Sequence, residues 1–191
     1  MCTNAQSINN KINELRAIVS VIEPDVIAIT ESWTNESIGN ELLEIDDFDI
    51  IAREDRKDTE GGRGGGILVY ARKEMHVWRE DGPSDFKQAV TVRVKCGCED
   101  VNIHIIYRSP NSKKENDASL NEWVKRMHGT SVMIGDFNFP DINWISGTTG
   151  SKGRDFYEAA AEAFFEQHVT EATHSSGNLL DLILCNSGEI I

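Results

Sequence analysis

Hydrophobic positions in this chain follow two periodicities that alternate along it. Between Ser7 and Ile22, the residues Ile8, Ile12, Leu15, Ile18, Val19 and Ile22 form one stripe at helical spacing. Ser7 offers an N-cap hydroxyl, and Glu23-Pro24 closes the helix. Short apolar runs then predict strands at Asp25–Thr30, Phe48–Arg53, Ile67–Tyr70, Met75–Trp78, Ala89–Lys95 and Val101–Tyr107. In Ala89–Lys95, apolar positions alternate with Thr91, Arg93 and Lys95, the pattern of a strand with one wet face. Leu120, Trp123, Val124 and Met127 predict a second amphipathic helix. A third is expected from Asp155 to Gln167, with Phe156, Ala160, Ala163 and Phe164 on its apolar side. The last predicted strand, Leu179–Leu184, is apolar except for Asp181. Strands outnumber helices and alternate with them irregularly, which points to an α/β protein with more than a simple parallel sheet.

The length of 191 residues, 39% of them hydrophobic, suits one domain over 1–191 with a sizeable core. No apolar run approaches a membrane span and no secretory pattern opens the chain, so no membrane partner is expected. Cys2, Cys96, Cys98 and Cys185 lack zinc spacing and read as reduced thiols of an intracellular protein, in the nucleus or cytoplasm. The formal net charge is −13, which argues against a surface that grips nucleic acid everywhere. The excess is local: Glu41–Glu60 carries net −6 and Asp155–Ile191 net −7, while the remainder balances.

Polar groups gather where apolar strands end. Val132-Met133-Ile134 runs directly into Gly135-Asp136-Phe137-Asn138, placing a carboxylate and an amide two residues apart. Glu31 follows the Asp25–Thr30 strand, and Tyr107-Arg108-Ser109-Pro110 ends another. Asp181 within an apolar run costs stability unless it is paired, hydrogen-bonded or metal-bound. The glycines from Gly61 to Gly66 lack the phosphate-loop pattern and lead into a strand, so they read as a turn. Several acids with a tyrosine and an asparagine, and no candidate nucleophilic serine or cysteine, suit metal-assisted phosphoester hydrolysis.

These segments resemble the endonuclease/exonuclease/phosphatase superfamily with its DNase I-like fold, and most of all the apurinic-type endonuclease domain of non-LTR retrotransposons. The resemblance rests on Asn4-Ala-Gln-Ser-Ile through Lys11, Pro24 through Trp33, Gly64 through Tyr70, Tyr107 through Pro110, Gly135 through Asn138 and Leu180 through Leu184, in that order. It implies a four-layer α/β sandwich, two mixed β-sheets packed face to face with helices outside. It also implies a Mg2+ or Mn2+ cofactor held by Glu31, with Asn4 beside it. Tyr107 is expected to bond the phosphate, Asp136 to position or deprotonate the attacking water, Asn138 to orient it, and Asp181 to pair with a catalytic histidine. Nucleic-acid contacts are expected at Arg108, Thr173 and His174. DNA is the implied substrate and a reverse transcriptase domain the implied partner in the parent element.

The family's closing Ser-Asp-His segment does not follow Asp181 in these 191 residues, and three residues precede Asn4. The expectation is therefore a domain clipped at both ends and nearly inactive as given. Two other readings share the pattern: a small-phosphoester phosphatase of the same fold, and a catalytically dead remnant serving as a binding module.

Overall fold

Strand alternation explains the architecture of this computed structural model, which describes residues 1–55, 64–83, 85–174 and 176–188. The first sheet holds β1 (Cys2–Asn4), β2 (Val26–Thr30), β3 (Phe48–Glu54) and β4 (Ile67–Arg72) in the order β1-β2-β4-β3. β1 runs parallel to β2, and the other pairs are antiparallel. The second sheet holds β5 (Val77–Glu80), β6 (Ala89–Cys96), β7 (Glu99–Tyr107), β8 (Ser131–Asp136), β11 (Glu166–Gln167) and β12 (Asp181–Cys185). Its order is β11-β12-β8-β7-β6-β5, with β7 and β8 parallel. A small hairpin, β9 (Ile142–Asn143) and β10 (Thr148–Thr149), stands apart from both.

Successive strand residues point to opposite faces, so each sheet buries two layers. Ile27, Ile29, Leu68 and Tyr70 face outward beneath α1 (Ile12–Ile22), where Leu15 and Val19 close a first core. Ala28, Val69, Val90, Val92, Ile105 and Tyr107 face inward and join the two sheets. Ile106, Met133, Leu182 and Leu184 face outward on the larger sheet. They pack under Leu120 and Val124 of α2 (Lys114–Lys125) and Phe156, Ala159 and Ala160 of α3 (Arg154–Glu162). Three cores between four layers make the expected DNase I-like sandwich. No helix among the described residues is long and apolar enough to cross a membrane.

The elements depart from the sequence pattern where backbone partners lie far away in the chain. The first helix starts at Ile12, not after Ser7. Gln6 and Ser7 adopt φ of 45° and 83°, and the Ser7 and Ile8 N–H groups donate to Glu31 and Ser32 carbonyls. Gln6 and Ser7 both sit in the left-handed region, where neither an N-cap nor a right-handed turn can form, so no helix opens there. Of the expected apolar stripe, Ile18 and Ile22 stay exposed. The third helix ends at Glu162, because Glu166 and Gln167 pair with Cys185 and Leu184 as an edge strand. Phe164 sits at φ 61° in the reversal and is 82% exposed, while Phe165 takes the core position. The fifth strand lies two residues later than its pattern, and β12 begins at Asp181. The three residues ending at Asn4 do form a strand on β2. Part of the acidic Glu41–Glu60 stretch and of the Gly61–Gly66 turn lies outside the described residues.

Candidate active site

The register of the larger sheet lines up three predicted residues. Tyr107 on β7 is opposite Asp136 on β8, and Asp136 is opposite Asp181 on β12. Asp136 shares parity with the inward-facing Ile134, so the row opens onto the layer between the sheets. Gly135 makes the approach to Asp136 possible: at φ 135°, a Cβ there would lie 2.0 Å from the Ile106 carbonyl oxygen. From the facing sheet, Asn4 Nδ2 donates to Asp136 Oδ2 at 2.8 Å and ties β1 to β8. The row is thus built by strand pairing and bridged by one side-chain hydrogen bond.

Glu31 closes the site from the smaller sheet. Its Oε2 accepts from the Trp33 indole N–H and from the Gly65 N–H at 2.7 Å. Glu31 and Trp33 have φ of 53° and 55°, a concentration of backbone strain of the kind found at functional sites. The facing glycines accept this turn: Ser32 and Trp33 donate to the Gly66 and Gly65 carbonyls, and a Cβ on Gly66 would meet Ser32 Oγ at 2.4 Å. The Tyr107 hydroxyl lies near the Glu31 carboxylate, and burial, then that carboxylate and the charge of Asp136, push the phenol well above its ordinary value, so it stays a neutral donor.

Burial, followed by repulsion from Asp181, raises the Asp136 carboxyl from 3.8 to about 6, against hydrogen bonds from Asn4 and Asn138. Asp181 is also raised, first by burial, with a Thr173 hydrogen bond and the nearby His174 acting in the opposite direction. Facing residues of an antiparallel pair lie about 4.5–5.5 Å apart, close enough for two buried carboxylates to disfavour ionising together. Asp136 Oδ1, Asp181 Oδ1 and Thr30 Oγ1 are buried with no hydrogen-bond partner, and Thr30 is the register neighbour of Asn4. Unpaired oxygens at one end of the inter-sheet layer are what a cation or an ordered water satisfies.

Glu31, Tyr107, Asp136, Asn4 and Asp181 are therefore brought together, while Asn138, two residues beyond Asp136, turns its side-chain amide to the Arg108 carbonyl at 2.8 Å. Three expectations change. Arg108 does not face solvent: it is buried, its guanidinium binds Asp117 in bidentate fashion, and it stacks 3.9 Å over the Phe139 ring. It has no free fork for a phosphate. Thr173 Oγ1 accepts from the Leu180 and Asp181 N–H groups at 3.0 Å, so it braces the start of β12. Among the described residues no histidine bonds the buried Asp181 oxygen, and Asp181 faces Asp136 instead. His174 is exposed, with Nδ1 accepting from the Ser176 N–H at 3.2 Å.

The pattern missed Asp117, Gly65 and Cys2. Cys2 lies half-buried beside this row, where burial and then Asp181 push its thiol up to about 12. Nothing in the spacing links Arg108 to Asp117, and the Gly65 N–H has no side chain to signal it.

A protein-family model described as Endonuclease/Exonuclease/phosphatase family matches residues 1–190. This chain belongs to that family. Its fold is shared by AP endonuclease LMAP from Leishmania major, at 15% identity and TM-score 0.71, over 97% of this chain and 78% of that one. It is also shared by the endonuclease domain of TRAS1, a telomere-specific non-LTR retrotransposon, at 14% identity and TM-score 0.71, over 97% and 83%. The 3′ phosphatase NExo from Neisseria, bound to product DNA hairpin, matches at 15% identity and TM-score 0.62, over 96% and 84%. A comparison with curated proteins gives no match.

Among the described residues, no group of three or more His, Cys, Asp or Glu side chains converges as a ready metal site. The donors still fit Mg2+, which keeps several waters and needs one or two carboxylates plus substrate oxygens. Glu31 and the Asn4 amide oxygen supply hard oxygen donors without a closed cage.

Proposed function

We propose that this chain is a metal-dependent phosphodiesterase that nicks DNA, of the kind found as the endonuclease domain of non-LTR retrotransposons or derived from one. The observation that carries this reading is Asp136. It is buried, fixed by Asn4 on one oxygen and unpartnered on the other, and raised to about 6, where it can take a proton near neutrality. In this reading Asn138, next to Asp136 on the same turn, would orient the same water, and Tyr107, kept neutral by its surroundings, would donate to a phosphate oxygen. Glu31 and Asn4 would hold Mg2+ or Mn2+, which when bound offsets charge on the phosphate and leaving oxygen. In a retroelement the 3′-hydroxyl left by nicking would prime a reverse transcriptase partner.

The distribution of acids supports a DNA substrate. The acidic helix α3 packs on the outer side of the larger sheet, across from the inward-facing row. Glu54 and Asp55, at the site end of β3, are ion-paired with Arg79 and Arg53. Lys113 and Lys114, beyond Tyr107, remain for the phosphate backbone.

The test is supercoiled plasmid nicking in Mg2+ by this chain and by the same chain extended with Ser-Asp-His. The expected result is nicking that needs Mg2+, is lost in Asp136→Ala and rises about a hundredfold on extension. Equal rates for both chains would show that Asp181 needs no imidazole partner. Hydrolysis of a small phosphoester with no plasmid nicking would move the reading to a phosphatase.

A further inference from the structure

Arg108 is tied to the candidate site at both ends of the residue and to α2 by its side chain. Its N–H donates to the Asp136 carbonyl at 2.8 Å, and its own carbonyl accepts from Asn138 Nδ2 at 2.8 Å. Its Nη1 donates to the Asn138 carbonyl at 2.7 Å. Nε and Nη2 donate to the two Asp117 oxygens at 2.7 and 2.8 Å, and the guanidinium lies over Phe139. Asp117 stands in the first turn of α2; although burial opposes it, bonds from Arg108 and Ser112 hold its carboxyl below the ordinary value. The segment being gripped is under strain, since Asn138 has φ 49°. A planar, bidentate and stacked guanidinium fixes geometry in a way that an ammonium does not.

We propose that Arg108, anchored by Asp117, is a positioning residue that holds the Asp136–Asn138 turn in its reactive geometry. The inference rests on the phosphodiesterase reading for its catalytic consequence. It makes the start of α2 part of the site although Asp117 faces no substrate. Its charge would also repel a phosphate, so a catalytic defect in Asp117→Asn cannot be a lost DNA contact.

The experiment compares Arg108→Lys, Asp117→Asn and the charge-free pair Arg108→Met with Asp117→Leu against a Lys113→Ala, Lys114→Ala control. The pair removes both charges together and is the variant least prone to unfold. Expected for each of the first three is a kcat lowered about tenfold or more with KM within about twofold, the signature of misplacement. The lysine control should raise KM and flatten the salt dependence of binding. Side-chain amide exchange of Asn138, read by NMR in the absence of DNA, should speed up about tenfold in the same three variants while circular dichroism stays native. A raised KM with unchanged kcat in Arg108→Lys would make Arg108 a substrate contact and overturn the proposal. So would parent-like Asn138 exchange in all three. If the parent protein cleaves no DNA, the proposed function fails, and the exchange measurement still decides whether Arg108 holds the turn.

Discussion

Replacing Asp136 with asparagine is expected to stabilise this protein at neutral and alkaline pH while removing its chemistry. Asp136 is 7% exposed, and its carboxyl is raised from 3.8 to about 6 by burial and by Asp181. A carboxyl whose folded pKa lies above its unfolded value binds its proton more tightly when folded. The stability it contributes is present at and below about pH 4 and is lost as pH rises through about 6. At 1.36 kcal/mol per tenfold change in proton affinity, that loss is about 3 kcal/mol. Asparagine resembles the protonated acid in shape and keeps an oxygen for Asn4, yet it carries no charge to set against Asp181. The stability of Asp136→Asn relative to the parent should therefore grow by about 3 kcal/mol between about pH 4 and pH 8, or about 6–12 °C in Tm for a chain of this size. The difference between the two proteins is the quantity to measure, since the parent profile alone is masked. His104 is buried, and burial lowers it from 6.5 to about 4, so its contribution falls over the same range as pH decreases and opposes the Asp136 trend. His104 is common to both proteins and cancels. The assay is thermal unfolding by circular dichroism in EDTA at several pH values. A difference that stays constant with pH, or a variant that loses ground as pH rises, would refute the picture of two repelling carboxylates at the head of β8 and β12.

Mg2+ should recover part of this lost stability in the parent at pH 8 but not in Glu31→Gln; an equal metal-dependent rise in Tm in both would place the cation elsewhere. Gly135→Ala should cost about 3 kcal/mol or more in denaturant unfolding, because the new Cβ meets the Ile106 carbonyl at 2.0 Å and φ is 135°. Phe156→Ala should cost about 3–5 kcal/mol, since the ring is fully buried against Phe137 and Phe139 at 5.2 and 4.9 Å. The same truncation at Phe164, which is 82% exposed, should change stability by less than about 0.5 kcal/mol, and a comparable loss at both would show that the helix end is wrongly assigned.

Local pattern determined much of this protein because alternation and helical spacing are properties of neighbouring residues. The parity of Ile134 and Asp136, or of Ile105 and Tyr107, already sets which side chains share a sheet face. The placing of Glu31, Tyr107, Asp136 and Asp181 at strand ends was likewise legible, since an apolar run stops where polar residues begin. What the pattern could not decide depends on partners far away in the chain. Asn4 reaches Asp136 across 132 residues, and Ser7 loses its cap role to the exit of β2. The edge strand at Glu166 overrides helical spacing because its N–H and C=O groups find Cys185 and Leu184. Arg108 shows the limit most directly. Read in sequence beside a tyrosine at a strand end, it is a cation free to meet phosphate. Folded, it is enclosed by Asp117, Phe139 and the Asn138 carbonyl, because a buried guanidinium must spend its donors on whatever the tertiary structure brings within reach.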